Sequence, residues 1–231
     1  AIEFLRKAYT LERGNALYEI DLIDALIAAK KVEEAEPLMN EILLREPDDG
    51  RVNLSAAQLM LEKDKPADAI SYYHRAVYGN WAENAAAHRV SARMKLVHLL
   101  AAEGRKRELL AELLNLQVEA GMDAPIQKTL GHLFLVADSP SRAADAYRAM
   151  IDRDPKDTAA YAGLGEAELE RGQYRNARAA FLEALHYTPR DESLRRRVDL
   201  SNTLTELDPT PRRLASMEKY RRSVHILQLA Y

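Results

Sequence analysis

The chain has 231 residues, 47% of them hydrophobic and 30% charged, with a formal net charge of −3 and no cysteine. Such a composition predicts a folded, water-soluble chain, excludes disulfides, thiolate catalysis and cysteine metal sites, and gives no global case for nucleic-acid binding. The longest apolar runs, such as LIDALIAA at 22–29, fall short of a membrane span. A cytoplasmic setting is the expectation, with a periplasmic or other extracytoplasmic one left open because nothing in cysteine usage separates them. Charge is uneven along the chain: residues 1–50 carry 6 Lys and Arg against 12 Asp and Glu, whereas 190–231 carry 9 against 6. Either these are solvated helix faces, or an acidic start and a basic end favour weak head-to-tail self-association.

Taken in chain order, pairs of a small and a large apolar residue four apart recur. They are Ala1 with Leu5, Ala35 with Met39, Ala69 with Tyr73, Ala143 with Tyr147 and Ala177 with Phe181. Three of the intervals are 34 residues, and the gap from Ala69 to Ala143 is 74, with Leu109 and Leu113 in the intermediate slot. One repeat has therefore gained six residues while the array kept its phase. A fixed period of this length, built from two helical patterns, marks a solenoid.

The elements follow from that phase. Residues 1–15 predict a lone second helix, which leaves an apolar face uncovered and implies further chain upstream. Hairpins are expected at 16–49 and 50–83, then a lengthened one at 84–123 with an extended first helix around Ala85 to Arg93, then 124–157 and 158–191. Pro66 and Pro140 open second helices, with Ser139 as a cap, while Gly172 and Pro189 terminate helices. In 192–231 the small-residue pattern decays. Two helices are expected there, the second opened by Thr210 and Pro211, as a degenerate or capping hairpin.

The unit Tyr161-x2-Leu164-Gly165, Ala177-x3-Phe181, Pro189 resembles the tetratricopeptide repeat family, departing from it at Glu168, where the family prefers an aromatic. The unit before it reads Leu130-Gly131-x2-Phe134, Ala143-x3-Tyr147, Pro155. Two earlier units are looser: Leu22, Leu26, Ala35, Met39, Pro47, and Ala56-Ala57, Met60, Ala69, Tyr73, with Trp81 where the terminal Pro would stand. The resemblance covers residues 1–191 and implies an all-α fold, a right-handed superhelical solenoid of tetratricopeptide-like helical hairpins. Gly165 is expected to face Ala177 across its hairpin, so that the helices close to the short end of the usual spacing of about 8–10 Å. A phosphate loop at GLGEAE is excluded, because Glu168 stands where the third glycine belongs and no strand precedes it.

No chemistry stands out. His74, His88, His98, His132, His186 and His225 form no pair at i+3 or i+4, and the serines lack a nucleophile elbow. No catalytic residue, metal or cofactor is expected, and the chain reads as a non-enzyme. The arginines at 195–197, 212, 213, 221 and 222 have only Tyr220 nearby and read as solvated cap residues rather than a nucleic-acid face.

In stacked hairpins of this family the first helices line the concave side. Positions beyond the packing pattern there are Leu17, Ile20, Asp24 and Ile27, then Arg51, Leu54, Gln58 and Leu61. Lys128, His132 and Leu135 follow, then Ala162, Glu166 and Leu169. Ile20, Ile27, Leu54 and Leu61 form an apolar stripe that marks a partner site, unless the twist of the array packs them into a neighbouring interface or an upstream repeat covers them. Gln58, Lys128, His132 and Glu166 would supply polar selection. Some family members clamp a terminal carboxylate with Lys, Asn and Arg. Lys128, His132 and Gly163 hold the matching positions without the asparagines, which argues against such a clamp. The function implied is a scaffold for protein interaction, taking a partner peptide or helix in the groove. The alternative is an accessory or self-associating region of a larger enzyme or envelope assembly.

Overall fold

A computed structural model describes residues 2–121, 124–208 and 214–230. These form thirteen α-helices and no β-strand: α1 Ile2–Leu11, α2 Ala16–Ala28, α3 Val32–Arg45, α4 Gly50–Glu62, α5 Pro66–Tyr78, α6 Ala85–Ala102, α7 Lys106–Ala120, α8 Ala124–Val136, α9 Pro140–Arg153, α10 Thr158–Glu170, α11 Tyr174–Tyr187, α12 Glu192–Leu207 and α13 Ser216–Ala230. The fold is an all-α helical repeat solenoid. It comprises two compact units, Ala1–Gly121 with α1 to α7 and Met122–Tyr231 with α8 to α13.

The turns inside the hairpins record the repeat in the backbone. Lys30, Asp64, Gly104, Asp138 and Gly172 all have positive φ, between 53° and 71°. Their intervals are 34, 40, 34 and 34 residues, the phase found in the side chains. After each of them the next N–H reaches back to a helical carbonyl: Lys31 to Leu26, Lys65 to Met60, Arg105 to Leu100, Ser139 to Phe134 and Gln173 to Glu168, all at 2.8–2.9 Å. This left-handed closure satisfies the last carbonyls of each first helix and aims the chain into the second. It also takes the place of a side-chain cap on the second helix. Ser139 makes no side-chain cap bond, and neither do Lys31, Lys65, Arg105 or Gln173 at the same place. First helices are capped instead by Asn15, Asp49, Asp157 and Asp191, whose side chains accept from backbone N–H groups of the first turn.

The recurring small residues lie in the cores of their units. Ala35, Ala69, Ala143 and Ala177 have no exposed surface, and Leu109 and Leu113 fill the intermediate slot equally completely. The tightest constraint on Gly165 is an aromatic ring. A side chain there would lie within 2.6 Å of Cδ1 and Cζ of Phe181, so the Phe181 ring requires glycine. The aromatic needs the space because it is itself fully buried. Gly131 and Gly163 likewise make room for the Tyr147 ring.

The lengthening appears as an 18-residue α6 against 13 residues in α2, α4, α8 and α10. Arg93, at the end of the stretch where the first helix is expected to be extended, is only 2% exposed. Its guanidinium forms a close ion pair with Glu112 and a two-pronged one with Glu119, at 3.0 and 2.9 Å, both from α7. The Tyr78 ring of α5 lies under it at 5.4 Å. Burial works against the Arg93 charge, but these partners outweigh it and hold its pKa above the ordinary value. In the second unit Glu168 is 1% exposed and is paired with Arg148 and Arg171, so a charged cluster fills the place of the family aromatic. The last helix runs from Ser216; Thr210 and Pro211, expected to open it, lie outside the described residues.

Candidate partner groove

A cavity of about 670 Å³ opens in the first unit, lined by α2, α4 and the segment from Trp81 to His88. Backbone bonds fix its geometry. Gly50 N–H donates to Asn80 O at 2.7 Å and Asn80 N–H to Asp48 O at 2.8 Å, which pins the turn after α5 to the start of α4. Trp81 then lies flat against Gly50, where any side chain would collide with the indole. Its Nε1–H donates to Ala76 O at 2.9 Å, and the His88 ring stacks on it with centroids 4.7 Å apart and planes 8° from parallel. Held on three sides, the indole is a fixed wall.

Six further lining residues are helix positions that sequence assigned to the concave side. Leu17, Ile20, Asp24, Arg51, Leu54 and Gln58 all face the cavity, with Val52 and Ser55. Arg51 bridges from α4 to Asp21 in a close pair and to Asp24 at 3.4 Å, and Asp24 also accepts from Ser55 Oγ. Desolvation opposes the Arg51 charge, and the two aspartates more than offset it, so its pKa is raised. Glu46, Asp49 and Glu83 complete the wall.

The eight expected site residues divide between the two units, five in the first and three in the second. Ile20, Leu54 and Gln58 line the cavity, although Ile20 retains only 2% of its surface. Ile27 is 6% exposed and packs with Val52, Ala56 and Leu59 of α4, which leaves little of it for a partner. Leu61 is exposed but lies outside the cavity lining. The other three belong to the second unit, where Lys128 and His132 are exposed on α8. Glu166 of α10 is half-buried and forms a 2.7 Å ion pair with Arg197 of α12. Burial raises the Glu166 pKa, Arg197 draws it down, Glu170 adds to the rise, and the net direction is upward. Trp81 and His88 also line the cavity and are absent from the expected residues. In the sequence Trp81 stands only where a terminal proline would, and its one further signal is a lone tryptophan 31 residues after Gly50.

Two tetratricopeptide repeat models match the sequence, over residues 1–59 and 128–192, together more than half of the chain. The chain belongs to the tetratricopeptide repeat family. No curated protein matches it in sequence. Among solved tetratricopeptide-like structures, YrrB, described as a tetratricopeptide protein with an unusual peptide-binding site, aligns at 16% identity with a TM-score of 0.67, over 87% of this chain and all of its own. MamA aligns at 19% identity with a TM-score of 0.57, over 73% of this chain and 89% of its own. PilW, a widely conserved type IV pilus biogenesis factor, aligns at 16% identity with a TM-score of 0.54, over 83% and 86%. At these identities the likeness is one of tetratricopeptide fold.

Proposed function

We propose that this chain is a non-catalytic scaffold that holds a partner peptide or helix in the groove between α2, α4 and the Trp81–His88 segment. The observation that carries the reading is the cavity itself. Its volume of about 670 Å³ lies in the range of sites that enclose a ligand, and its indole wall is held open by packing rather than left to collapse. Family membership supports it, since tetratricopeptide arrays serve in general as protein-interaction scaffolds, and so does the peptide-binding site named for YrrB. In the second unit Lys128, His132 and Glu166 are proposed as polar selectors for the same class of partner. No nucleic acid or cofactor is assigned a role. Among the described residues no helix is long and apolar enough to cross a membrane.

The test is affinity capture from a lysate of the source organism, with wild type beside a Leu17→Glu, Leu54→Glu variant of unchanged helicity. A protein retained by the first and lost by the second is expected. Equal retention by both removes the groove from the reading.

A second reading, self-association, rests on α13. Its Met217, Tyr220 and Leu227 are 77%, 68% and 59% exposed, in a segment that carries the basic end of the chain. Light scattering should then show mass rising with concentration and falling in about 0.5 M salt, which screens exposed charge contacts. A constant monomer mass would dismiss it.

A further inference from the structure

We propose that the groove of the first unit selects a positively charged segment anchored by a large apolar side chain. This rests on the groove reading above and adds the chemistry of the partner. The apolar half of the argument is the floor. Leu17 is 62% exposed at the cavity edge, and Leu54, Val52 and the Trp81 ring continue it inward. Uncovered leucine beside a fixed indole is a seat for a leucine-sized or aromatic side chain, which gains by leaving water there.

The charged half is an imbalance. Four acidic residues, Asp24, Glu46, Asp49 and Glu83, line the cavity against one arginine, Arg51. Arg51 is already neutralised by Asp21 and Asp24. Asp49 Oδ1 accepts from Val52 N–H at 2.8 Å, so this carboxylate is partly satisfied as a helix cap. The carboxylates of Glu46 and Glu83 have no ion-pair or hydrogen-bond partner among the described residues. Residues 1–50 extend the same field, with twice as many acidic as basic side chains. An acidic tail, a phosphopeptide or a nucleic-acid backbone would meet repulsion at Glu46 and Glu83, whereas Lys, Arg or an amino terminus beside the apolar anchor would pair with them. Such rim charges steer encounter and choose between partners, while the apolar floor supplies the hold.

The experiment uses the chain's sole tryptophan, Trp81, as a reporter inside the site. A displayed library of random peptides about a dozen residues long is panned against the whole chain, and recovered sequences are synthesised and titrated while Trp81 emission is followed. Peptides that move the emission are expected to carry net positive charge next to a Leu, Ile, Phe or Trp. A Glu46→Gln, Glu83→Gln variant, both positions being exposed, should keep its helicity and lose about tenfold in affinity at low salt, since exposed pairs contribute roughly two- to fivefold each. Neutral or acidic peptides that move Trp81 equally, or basic ones that bind the variant unchanged, would overturn the charge selection and leave the groove reading standing. A library that yields no sequence reaching Trp81 would overturn both. Emission that shifts with protein concentration alone, before any peptide is added, would make a second copy the occupant and overturn a separate partner.

Discussion

Replacing Arg93 with Met keeps most of the unbranched stem and removes only the charge that joins α6 to α7. Arg93 is 2% exposed and Glu112 5%, so after the substitution the Glu112 carboxylate stays buried with its cation gone. Breaking a buried pair on one side costs about 3–5 kcal/mol, most of it the isolated charge. The Glu119 side chain is 34% exposed and can turn to water, so its lost pair adds no more than about 1 kcal/mol. His74 Nδ1, 3.6 Å from Glu112, offers a partial substitute, which places the expected loss near the lower end, about 3–4 kcal/mol. Neutralising the orphan should undo most of this, so Arg93→Met with Glu112→Gln is expected to recover at least half of the loss. Urea unfolding followed both by helical circular dichroism and by Trp81 emission measures it, because Trp81 and Arg93 lie in the same unit. A loss below about 1 kcal/mol, typical of an exposed pair, would refute the reasoning. So would a double variant no more stable than Arg93→Met.

Three further outcomes are expected. Gly165→Ala should destabilise by about 1–2 kcal/mol, since crowding against the buried Phe181 outweighs the better helix propensity of alanine, and adding Phe181→Leu should cost less than the two singles summed; an unchanged or raised midpoint for Gly165→Ala would contradict the packing. Ile27→Ser should cost about 2–4 kcal/mol and Leu61→Ser under about 1, because only the first is buried, and similar losses at both sites would reverse that assignment. Glu166 has a raised pKa, so the folded state binds its proton more tightly than the unfolded chain, and its contribution to stability falls as pH rises from the ordinary 4.5 through the raised value. The stability of Glu166→Gln relative to wild type should therefore increase between about pH 4 and pH 7 in urea titrations. A relative stability that decreases over that span would show the Arg197 pair to dominate.

The period was legible because close helix crossings admit only small side chains, and the spacing between crossings is set by the length of a hairpin. Ala35, Ala69, Ala143 and Ala177 thus announced their own burial. The left-handed turns were less visible, since Lys30, Asp64 and Asp138 take a conformation for which only glycine leaves a clear mark. Isolated charges were misjudged most. Arg93 sits between Ala92 and Met94 in a segment rich in basic and small residues, and nothing local tells a buried arginine from a solvated one; its partners lie 19 and 26 residues away. Glu168 looked like a departure from the repeat, and only the arrival of Arg148 from another helix makes it a filled core position. In the groove, helix periodicity picked out six lining positions. The indole wall stayed hidden because it depends on a backbone contact between Gly50 and a turn 30 residues later.

The pairs of helices that carry the packing are neighbours in sequence or next but one, as α2 with α4 and α8 with α10. Chain closures are therefore short, and short closures make folding fast and sequential. Every residue lining the cavity lies between Ala16 and His88. During synthesis the groove can take shape while the second unit is still being made, so a partner can be engaged by a nascent chain. A truncated chain ending at residue 121 is expected to show the Trp81 emission of the whole protein.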